Sequence, residues 1–335
     1  MLKIKRSNDL KKNILLVINL ILLLIITITI VALFKDKVQN ENVFIDNSSE
    51  ELTIITTLFP EYDFTKQIVG DKANVKLIIK PGMETHNFEP TAQDIILINK
   101  ADMFVTLGND LEPWVKEVVS SISDKEKVLD LSKNINIIDQ DEFEDEHEEH
   151  EENHEHDEHE ESHDSHVWLS ISNSKIMIND ILNRIISLDE ENKDYYIQNA
   201  NEYLNEIDKL DNEYKEFVKE NKDLVYAFGG EFAYSYLMNE YDLSFVSVYT
   251  NCGHGEDPSI SRVKNVIDVI NEKEIPVVFY EELSEGMVAK MIAEETNAES
   301  LVLYTLHNGN TDGENKDTYV SLMRKNLENL KKCKK

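Results

Sequence analysis

The chain has 335 residues, which is enough for two ordinary domains and some additional sequence. It carries 66 Asp and Glu against 34 Lys and Arg, a formal charge of −32 at pH 7, and this balance excludes general binding to a nucleic-acid backbone. The two cysteines, Cys252 and Cys333, are too few for a disulfide framework or a cysteine-rich zinc site. Any metal site is therefore expected to use imidazole and carboxylate groups.

The N-terminal residues have the composition of a membrane anchor. A basic tail over 1–12 precedes the segment 13–34, in which Ile14 to Phe34 carry no charge, and about 20 helical apolar residues cross a bilayer. The basic flank predicts that the tail stays inside the cell and the rest of the chain faces outward. A cleavable signal peptide is the alternative, but its apolar stretch is usually about 7–15 residues and a small-residue cleavage site should follow. We expect an uncleaved anchor in the cell membrane, followed by a polar tether over 35–50.

Beyond the tether, short apolar strands alternate with helical stretches, which predicts an α/β fold. Strands are predicted at 52–57, 74–80, 102–108, 127–132, 223–229, 243–249, 275–281 and 299–305. Helices are predicted at 90–101, 112–122, 231–241, 259–273, 285–296 and 317–332. Apolar residues also recur every three or four positions from Ile197 to Phe217, which indicates a long helix over 191–220. We expect two lobes, 51–190 and 221–335, joined by that helix, with ligands bound in the cleft between them.

Residues 141–166 form a run of acids and histidines, with fifteen Asp and Glu, seven of the ten histidines and no Lys or Arg. The run contains HEENH at 150–154 and HEESH at 159–163, which match the H-E-x-x-H pattern of zinc proteases. We reject both matches, because a protease helix must bury an apolar face and Phe143 is the only large apolar side chain here. The composition predicts a disordered loop over 141–165 that collects divalent metal weakly, with a solvated acidic spacer as the alternative.

Three histidines lie at predicted strand ends or at the edge of a predicted element. His86 stands in PGMETHNFEPT between a strand and a helix, His166 opens the segment HVWLS, and His307 follows the strand LVLYT. Each one alone is more typical of a structural or surface histidine. Their common placement where a cleft is expected indicates a metal site.

Several segments carry a resemblance to a known family. They are PGMETHNFEPTAQDI, the LEPW segment, a His/acid-rich insert that ends in DSHVWLS, IPVVFYEELS and YVSLMRKNLENL. From about residue 52 to residue 330 the chain resembles the solute-binding subunits of bacterial zinc and manganese ABC uptake systems, the cluster A-I metal-binding family. This resemblance implies two α/β lobes with mostly parallel four-stranded sheets, a rigid linking helix and one metal ion between the lobes. It also implies an ABC permease and its ATPase as partners.

The resemblance implies four metal ligands. The first two ligand histidines of the family map to His86 and His166. The third ligand, a His in zinc proteins and a Glu in several manganese proteins, maps to Glu231. The fourth, commonly an acid near the last strand, falls on His307.

Some positions depart from the family pattern and leave alternatives open. The family is usually a lipoprotein with a Cys just after the signal segment, whereas the first cysteine here is Cys252, so attachment is expected to rest on the N-terminal helix. The turn over 252–257 offers His254 or Glu256 as an alternative third ligand. Asn308 is an alternative to His307 as the fourth ligand.

The expected ligands favour one ion. Imidazoles with one carboxylate suit Zn²⁺, whereas Mn²⁺ prefers more oxygen atoms. The His-rich loop favours zinc, and the glutamate at the third position favours manganese. We expect the extracytoplasmic solute-binding subunit of an ABC importer that captures Zn²⁺ and delivers it to a permease, with Mn²⁺ as the alternative. A secreted zinc hydrolase and a surface metal buffer are further alternatives, but four protein ligands close the coordination sphere, as in carriers and structural sites.

Overall fold

A computed structural model of the protein describes residues 51–108, 111–138, 164–250, 252, 258–313 and 315–334. The tail, anchor and tether predicted over 1–50, residues 141–163 of the acidic run and the alternative ligands His254 and Glu256 lie outside these residues. Within the described part of the chain, no helix is both long enough and apolar enough to cross a membrane.

The first lobe contains a four-stranded sheet with helices packed on it. Its strands are β1 (Leu52–Thr56), β2 (Ala73–Leu77), β3 (Met103–Thr106) and β4 (Val128–Asp130). Its helices are α1 (Phe59–Val69), α2 (Ala92–Lys100) and α3 (Pro113–Ser121). The strand order is β2-β1-β3-β4 and every pairing is parallel. The inner strands β1 and β3 are buried along almost their whole length, which explains their continuous apolar sequences.

Thr91 and Asp94 begin α2 with a capping box, in which two side chains satisfy backbone N–H groups that the helix leaves unpaired. The Asp94 backbone N–H donates to Thr91 Oγ1 at 3.2 Å, and the Thr91 backbone N–H donates to Asp94 Oδ2 at 2.8 Å. These bonds start the helix two residues after Pro90. The loop that carries His86 is thereby held between β2 and a well-defined helix start.

Two long helices follow the first lobe along the chain: α4 (Ile171–Leu188) and α5 (Lys193–Glu220). The helix predicted over 191–220 is α5, and the predicted apolar stripe is its buried face. Five residues of the predicted stripe are buried, namely Ala200, Ile207, Leu210, Tyr214 and Phe217, whereas its other two members, Ile197 and Leu204, are half-buried and the adjacent Tyr196 and Tyr203 are buried instead. Helices α1 and α4 were not predicted from the sequence, although α4 buries Ile178, Ile181 and Ile185 at helical spacing and packs along α5.

The second lobe repeats the strand order of the first. Its strands are β5 (Val225–Phe228), β6 (Ser244–Ser247), β7 (Val277–Tyr280) and β8 (Glu299–Val302). Its helices are α6 (Ser235–Glu240), α7 (Ile260–Lys273), α8 (Met287–Thr296) and α9 (Tyr319–Leu330). The order is β6-β5-β7-β8, again with parallel pairings. The predicted fold class is confirmed: two α/β lobes with parallel four-stranded sheets and a long joining helix.

Buried hydrogen bonds join elements of the two lobes. The Asp63 carboxylate on α1 accepts from the Tyr203 hydroxyl on α5 at 2.5 Å and from the Tyr319 backbone N–H on α9 at 2.8 Å. The Trp168 indole N–H donates to the Thr305 carbonyl at 2.8 Å, and the Tyr319 hydroxyl donates to the Trp168 carbonyl at 2.9 Å. These hydrogen bonds hold the loops of both lobes in fixed positions around the cleft.

Candidate metal centre

The loops at the carboxyl ends of the strands in both lobes supply the candidate ligands. His86 follows β2 in the first lobe, whereas Glu231, Cys252 and His307 follow β5, β6 and β8 in the second. His166 directly precedes a one-turn helix that leads into α4. In open α/β sheets these loop ends form the ligand-binding edge, and here the edges of two sheets contribute to one site.

Three imidazoles converge in the cleft. One ring nitrogen each from His86, His166 and His307 lies within 4.8 Å of the other two, the one group of three or more such ligand atoms among the described residues. The Nε2 atoms of His166 and His307 are 2.8 Å apart. These two side chains are 2% and 5% exposed, and His86 is half-buried at the entrance. The structure thus brings together the three histidines predicted to lie at strand ends or at the edge of an element.

Asp164 orients His166. Its Oδ1 accepts from His166 Nδ1 at 2.6 Å and from the His166 backbone N–H at 2.9 Å, and its Oδ2 accepts from the Ser235 backbone N–H at 3.2 Å. Because Nδ1 keeps its proton against the carboxylate, the lone pair of Nε2 points into the cluster. Burial by itself would raise the pKa of Asp164, but the charge of His166 and these hydrogen bonds outweigh burial and lower it. Asp164 therefore stays ionised beside the site.

The predicted boundary of the acidic loop is wrong at its C-terminal end. The loop is expected to run through residue 165, but Asp164 is 5% exposed and accepts hydrogen bonds from His166 and from the Ser235 backbone N–H. Asp164 is thus a functional residue that was not predicted from the sequence. Its position two residues before a ligand-type histidine is the spacing of an Asx turn, in which a carboxylate accepts from the backbone N–H two residues later, and this pattern is readable from the sequence.

His307 is held in its neutral form. Burial lowers the pKa of its imidazole well below the usual value, and the neighbouring charges of His166 and His86 lower it further. A neutral imidazole offers a lone pair on one nitrogen, which is the form that binds a metal ion. His307 is therefore available as a ligand without first losing a proton to solvent.

Glu231 lines the same cleft, which has a volume of about 120 Å³. It reaches the histidines through Cys252, whose Sγ donates to Glu231 Oε2 at 3.2 Å and lies 3.2 Å from His86 Nε2. Sequence reasoning selected Glu231 but left Cys252 out, because two cysteines in the chain were too few to suggest a thiolate site. The available signal was its position at the start of the turn over 252–257, which was already a source of alternative ligands.

Asn308, the alternative fourth ligand, links two loops of the cleft. Its Oδ1 accepts from the Gly82 backbone N–H at 2.6 Å, and its Nδ2 donates to the Met83 carbonyl at 3.3 Å. The loop that carries His86 is thereby tied to the loop that carries His307. His307 belongs to the cluster of converging histidine nitrogens, and Asn308 does not.

The wall of the cleft is acidic. It is lined by four glutamates, Glu84, Glu231, Glu281 and Glu282, and by no Lys or Arg among the described residues. Glu282 accepts from the Thr305 backbone N–H at 2.7 Å, and burial raises the pKa of both Glu281 and Glu282. Glu281 Oε2 is buried and has no hydrogen-bond partner in the described part of the chain. This arrangement attracts a cation.

Fold and site together are those of a two-lobe α/β binding protein with a candidate cation site in the cleft between its lobes. A family model described as "Zinc-uptake complex component A periplasmic" matches residues 54–333. The chain belongs to this family of zinc-uptake components, and the resemblance identified from its motifs is confirmed. The role of the family is substrate binding in transport.

Relatives with known names support the assignment over most of the chain. The chain is 35% identical over 290 residues to the high-affinity zinc uptake system protein ZnuA of Bacillus subtilis (strain 168), covering 85% of this chain and 88% of that protein. It is 28% identical over 287 residues to the zinc-binding lipoprotein AdcA of Streptococcus pneumoniae, covering 84% of this chain and 55% of AdcA. The chain thus spans about half the length of the AdcA relatives.

Solved structures show the same two-lobe fold. The metal-dependent lipoprotein YcdH of Bacillus subtilis superposes with a TM-score of 0.69 at 30% identity, covering 84% of this chain and 99% of that chain. The Zn(II)-bound ZnuA-like domain of Streptococcus pneumoniae AdcA superposes with a TM-score of 0.67 at 27% identity, covering 84% and 98%.

Proposed function

We propose that this chain is the extracytoplasmic solute-binding subunit of an ABC importer, and that it captures Zn²⁺ in the cleft and delivers it to a membrane permease driven by an ATPase. Membership of the zinc-uptake family and the zinc-specific names of its relatives support this role. In this proposal Zn²⁺ is the cargo, and the cleft holds it until the subunit meets the permease.

The observation that carries the proposal is the convergence of His86, His166 and His307 from loops of both lobes. Three imidazoles at this spacing suit Zn²⁺, which is usually bound by four ligands in a tetrahedron. Glu231, predicted from the sequence as the carboxylate ligand, lines the same cleft and stays a prediction. A site with four protein ligands has no open position for a reacting water, which is typical of a carrier.

A histidine substitution tests the proposal directly. Loss of a residue that only hydrogen-bonds a metal ligand lowers metal affinity by roughly 10–100-fold. Because His166→Ala removes a ligand itself, we expect it to lower the zinc affinity by more than about 100-fold. A competition titration with a chromophoric zinc chelator measures the affinity. His159→Ala in the acidic run is the matched control and should leave the tight site unchanged. Wild-type affinity in both His166→Ala and His307→Ala would refute the proposal.

Manganese is the second candidate cargo. The four glutamates that line the cleft favour it, because Mn²⁺ prefers oxygen ligands. We propose zinc as the principal ion, since three nitrogen donors converge and the relatives are named for zinc. Equimolar Zn²⁺ should displace bound Mn²⁺ completely in equilibrium dialysis. Retention of Mn²⁺ against equimolar Zn²⁺ would make manganese the cargo.

We propose that the chain acts as a carrier and not as a zinc hydrolase or a surface buffer. A hydrolase needs a metal position open to water, and a buffer would hold its metal in the acidic run alone. Deletion of residues 141–163 separates carrier from buffer, because a carrier keeps one tightly bound ion per chain whereas a buffer loses nearly all its metal. Elemental analysis of the purified protein gives the count, and peptide or ester hydrolysis by the zinc-loaded protein would indicate an enzyme.

We propose that residues 13–34 anchor the chain as an uncleaved membrane helix. The uncharged stretch from Ile14 to Phe34 and the basic tail before it support an anchor with the lobes on the extracytoplasmic face. The full-length protein should stay in the membrane pellet after alkaline carbonate extraction and keep its original N-terminal sequence. Release into the supernatant, or a new N-terminus beyond residue 34, would contradict the anchor.

A further inference from the structure

The thiol of Cys252 lies at the edge of the histidine cluster and contacts two of the predicted metal ligands, His86 and Glu231. Cys252 Sγ is 3.2 Å from Nε2 of His86 and 3.2 Å from Oε2 of Glu231. The thiol is partly buried and lines the same cleft as His307. Of the two cysteines in the chain it is the one at the cleft, because Cys333 is buried beside the C-terminal helix.

The distance between Cys252 Sγ and His86 Nε2 is close to that between two ligands of one zinc ion. Cys252 Sγ is not in the group of ligand atoms that all lie within 4.8 Å of one another, so it must move toward His166 and His307 when the ion binds. A tetrahedral ion with Zn–N distances of about 2.0–2.1 Å and a Zn–S distance of about 2.3 Å places neighbouring ligand atoms roughly 3.3–3.6 Å apart. The Sγ–Nε2 separation between Cys252 and His86 is 3.2 Å, within about 0.4 Å of that edge length. The Nε2 atoms of His166 and His307, at 2.8 Å, need only to move apart slightly to bind the same ion.

The chemistry of the neighbours also suits a metal-bound thiolate. The thiol donates to a carboxylate, Glu231 Oε2, so an acceptor for its proton is already in place. Four glutamates around the cleft do not favour a free thiolate, but a bound Zn²⁺ supplies the positive charge that stabilises one. A thiolate is therefore expected here only together with a metal ion.

We propose that Cys252 is the fourth zinc ligand and completes a site of three imidazoles and one thiolate that selects Zn²⁺ over Mn²⁺. The inference rests on the proposed function and identifies how the same site discriminates between ions. On binding, the Sγ–H bond breaks, an Sγ–Zn bond forms, and the proton passes to Glu231 Oε2 and from there to solvent. Glu231 then acts beside the ion as a proton acceptor, a different role from the ligand role predicted for it.

Selectivity follows from the softness of sulfur. Thiolate ligands favour Zn²⁺ and related soft ions, whereas Mn²⁺ gains little from them. A fourth ligand from Glu231 would leave one oxygen donor and a smaller difference between the two ions. The proposal therefore makes Cys252 the residue that determines which divalent ion the site prefers.

Cobalt substitution tests the thiolate directly. Co²⁺-loaded protein should show a sulfur-to-cobalt charge-transfer band in the near-ultraviolet, and Cys252→Ser should lose that band while the visible cobalt bands of the histidine site remain. Cys333→Ser is the matched control and should keep the band. In chelator competition, Cys252→Ser should lower zinc affinity by more than about 100-fold, because loss of a direct ligand costs more affinity than loss of a ligand's hydrogen-bond partner, and leave manganese affinity nearly unchanged. Absence of the band from wild-type protein that binds Co²⁺, or its persistence in Cys252→Ser, would overturn the proposal.

A second measurement avoids any folding defect of the serine variant. In Cys333→Ser protein the remaining thiol is Cys252, and stoichiometric Zn²⁺ should strongly slow its alkylation by iodoacetamide, whereas Mg²⁺ should not. Equal alkylation rates with and without saturating Zn²⁺ would overturn the thiolate assignment while the carrier function stands. Failure of the wild-type protein to bind either Zn²⁺ or Co²⁺ would instead refute the proposed function itself.

Discussion

At the scale of single residues, Asp164 shows how a side chain outside the ligand set controls the site. It holds the Nδ1 proton of His166 and is itself fixed by the Ser235 backbone N–H. The carboxylate keeps the imidazole in the orientation and tautomer that bind metal through Nε2. Such partners raise the basicity of the histidine that they orient.

We expect Asp164→Asn to weaken zinc binding by about 10–100-fold, because the amide accepts hydrogen bonds more weakly and no longer carries the charge that supports His166. Isothermal titration calorimetry in competition with a chelator measures the change. Asp180→Asn is the control, since Asp180 forms one exposed hydrogen bond with Asn134 at 2.8 Å, away from the cleft. Wild-type affinity for Asp164→Asn would show that the carboxylate does not tune the ligand.

Two buried glutamates of the first lobe, Glu61 and Glu112, affect the stability of the fold and not metal binding. Glu61 accepts from the Thr57 hydroxyl at 2.7 Å, and Glu112 accepts from the Thr106 hydroxyl at 2.7 Å. One carboxylate oxygen of each is buried and has no partner among the described residues. Burial, with the charge of Glu112, raises the pKa of Glu61 well above its usual value, and burial also raises the pKa of Glu112.

These raised pKa values set the sign of a pH dependence. The folded protein binds protons at Glu61 and Glu112 more tightly than the unfolded chain, whose glutamate pKa is about 4.3. The contribution of these two protonated glutamates to the free energy of unfolding is therefore fully present below about pH 4.3. This contribution is lost as the pH rises through their pKa values in the folded protein. At neutral pH the pair is a source of instability in the first lobe.

We expect Glu61→Gln to raise the free energy of unfolding at pH 7.5 by on the order of 1 kcal/mol or more, because one buried charge is removed and the new amide can donate to Glu112. Thermal unfolding of metal-free protein between about pH 5 and 8 measures the change, and the gain should grow with pH. Glu117→Gln on α3, an exposed position, should have no effect. A Glu61→Gln protein less stable than wild type at pH 7.5 would contradict this account.

At the scale of elements, α5 was predicted from its apolar spacing, but its connection to both lobes depends on a polar contact. The Tyr203 hydroxyl donates to the buried Asp63 carboxylate, which also accepts from the backbone N–H of Tyr319. One side chain on the linking helix thus helps to hold α1 of the first lobe and α9 of the second. No apolar pattern in the sequence reports such a bond.

We expect Tyr203→Phe to lower the free energy of unfolding by about 1–3 kcal/mol, because a buried carboxylate loses a hydrogen-bond donor. Urea denaturation of the zinc-free protein gives the value from the shift in midpoint. Tyr195→Phe on the same helix is the matched control, since its hydroxyl forms an exposed contact of 3.3 Å with Asp71. Equal stability losses in the two variants would show that the bond to Asp63 has no special importance.

At the scale of the whole molecule, charge is concentrated in one part of the chain. Removing residues 141–163 takes away fourteen Asp and Glu and six histidines, which changes the formal charge from −32 to −18. A strongly negative segment attracts cations over distances that salt shortens. The deletion must keep Asp164, because that residue orients a ligand-type histidine in the cleft.

We expect the 141–163 deletion to leave the affinity of the tight site within a few-fold of wild type but to slow zinc capture at low ionic strength. The acidic run raises the local cation concentration, and this effect should disappear in high salt. Stopped-flow measurement of zinc uptake at low and high salt separates the two conditions. If the deletion abolishes tight binding, the run supplies ligands and the histidine cluster alone is not the site.

The sequence by itself determined the architecture and the residues to examine. Apolar periodicity is a local property, so all eight strands and the linking helix were predicted close to their observed positions. Strand-end placement selected His86 and His307, because loops at the carboxyl ends of parallel strands meet at one edge. The start of the HVWLS segment, at the edge of a predicted element, selected His166, and the family motifs supported all three. The helix expected over 231–241 begins only at Ser235, which leaves Glu231 in the preceding loop.

Only the tertiary structure decided how side chains from distant loops meet. The contact of Cys252 with His86 joins residues 166 positions apart, and the pairing of His166 with His307 joins residues 141 positions apart. Such separations depend on the docking of two lobes and on side-chain conformations, neither of which is encoded in a local pattern of apolar residues. The same reason explains why Asp164 was predicted to lie in a loop. Asp164 accepts a hydrogen bond from the Ser235 backbone N–H of the second lobe, and the local sequence does not reveal this contact.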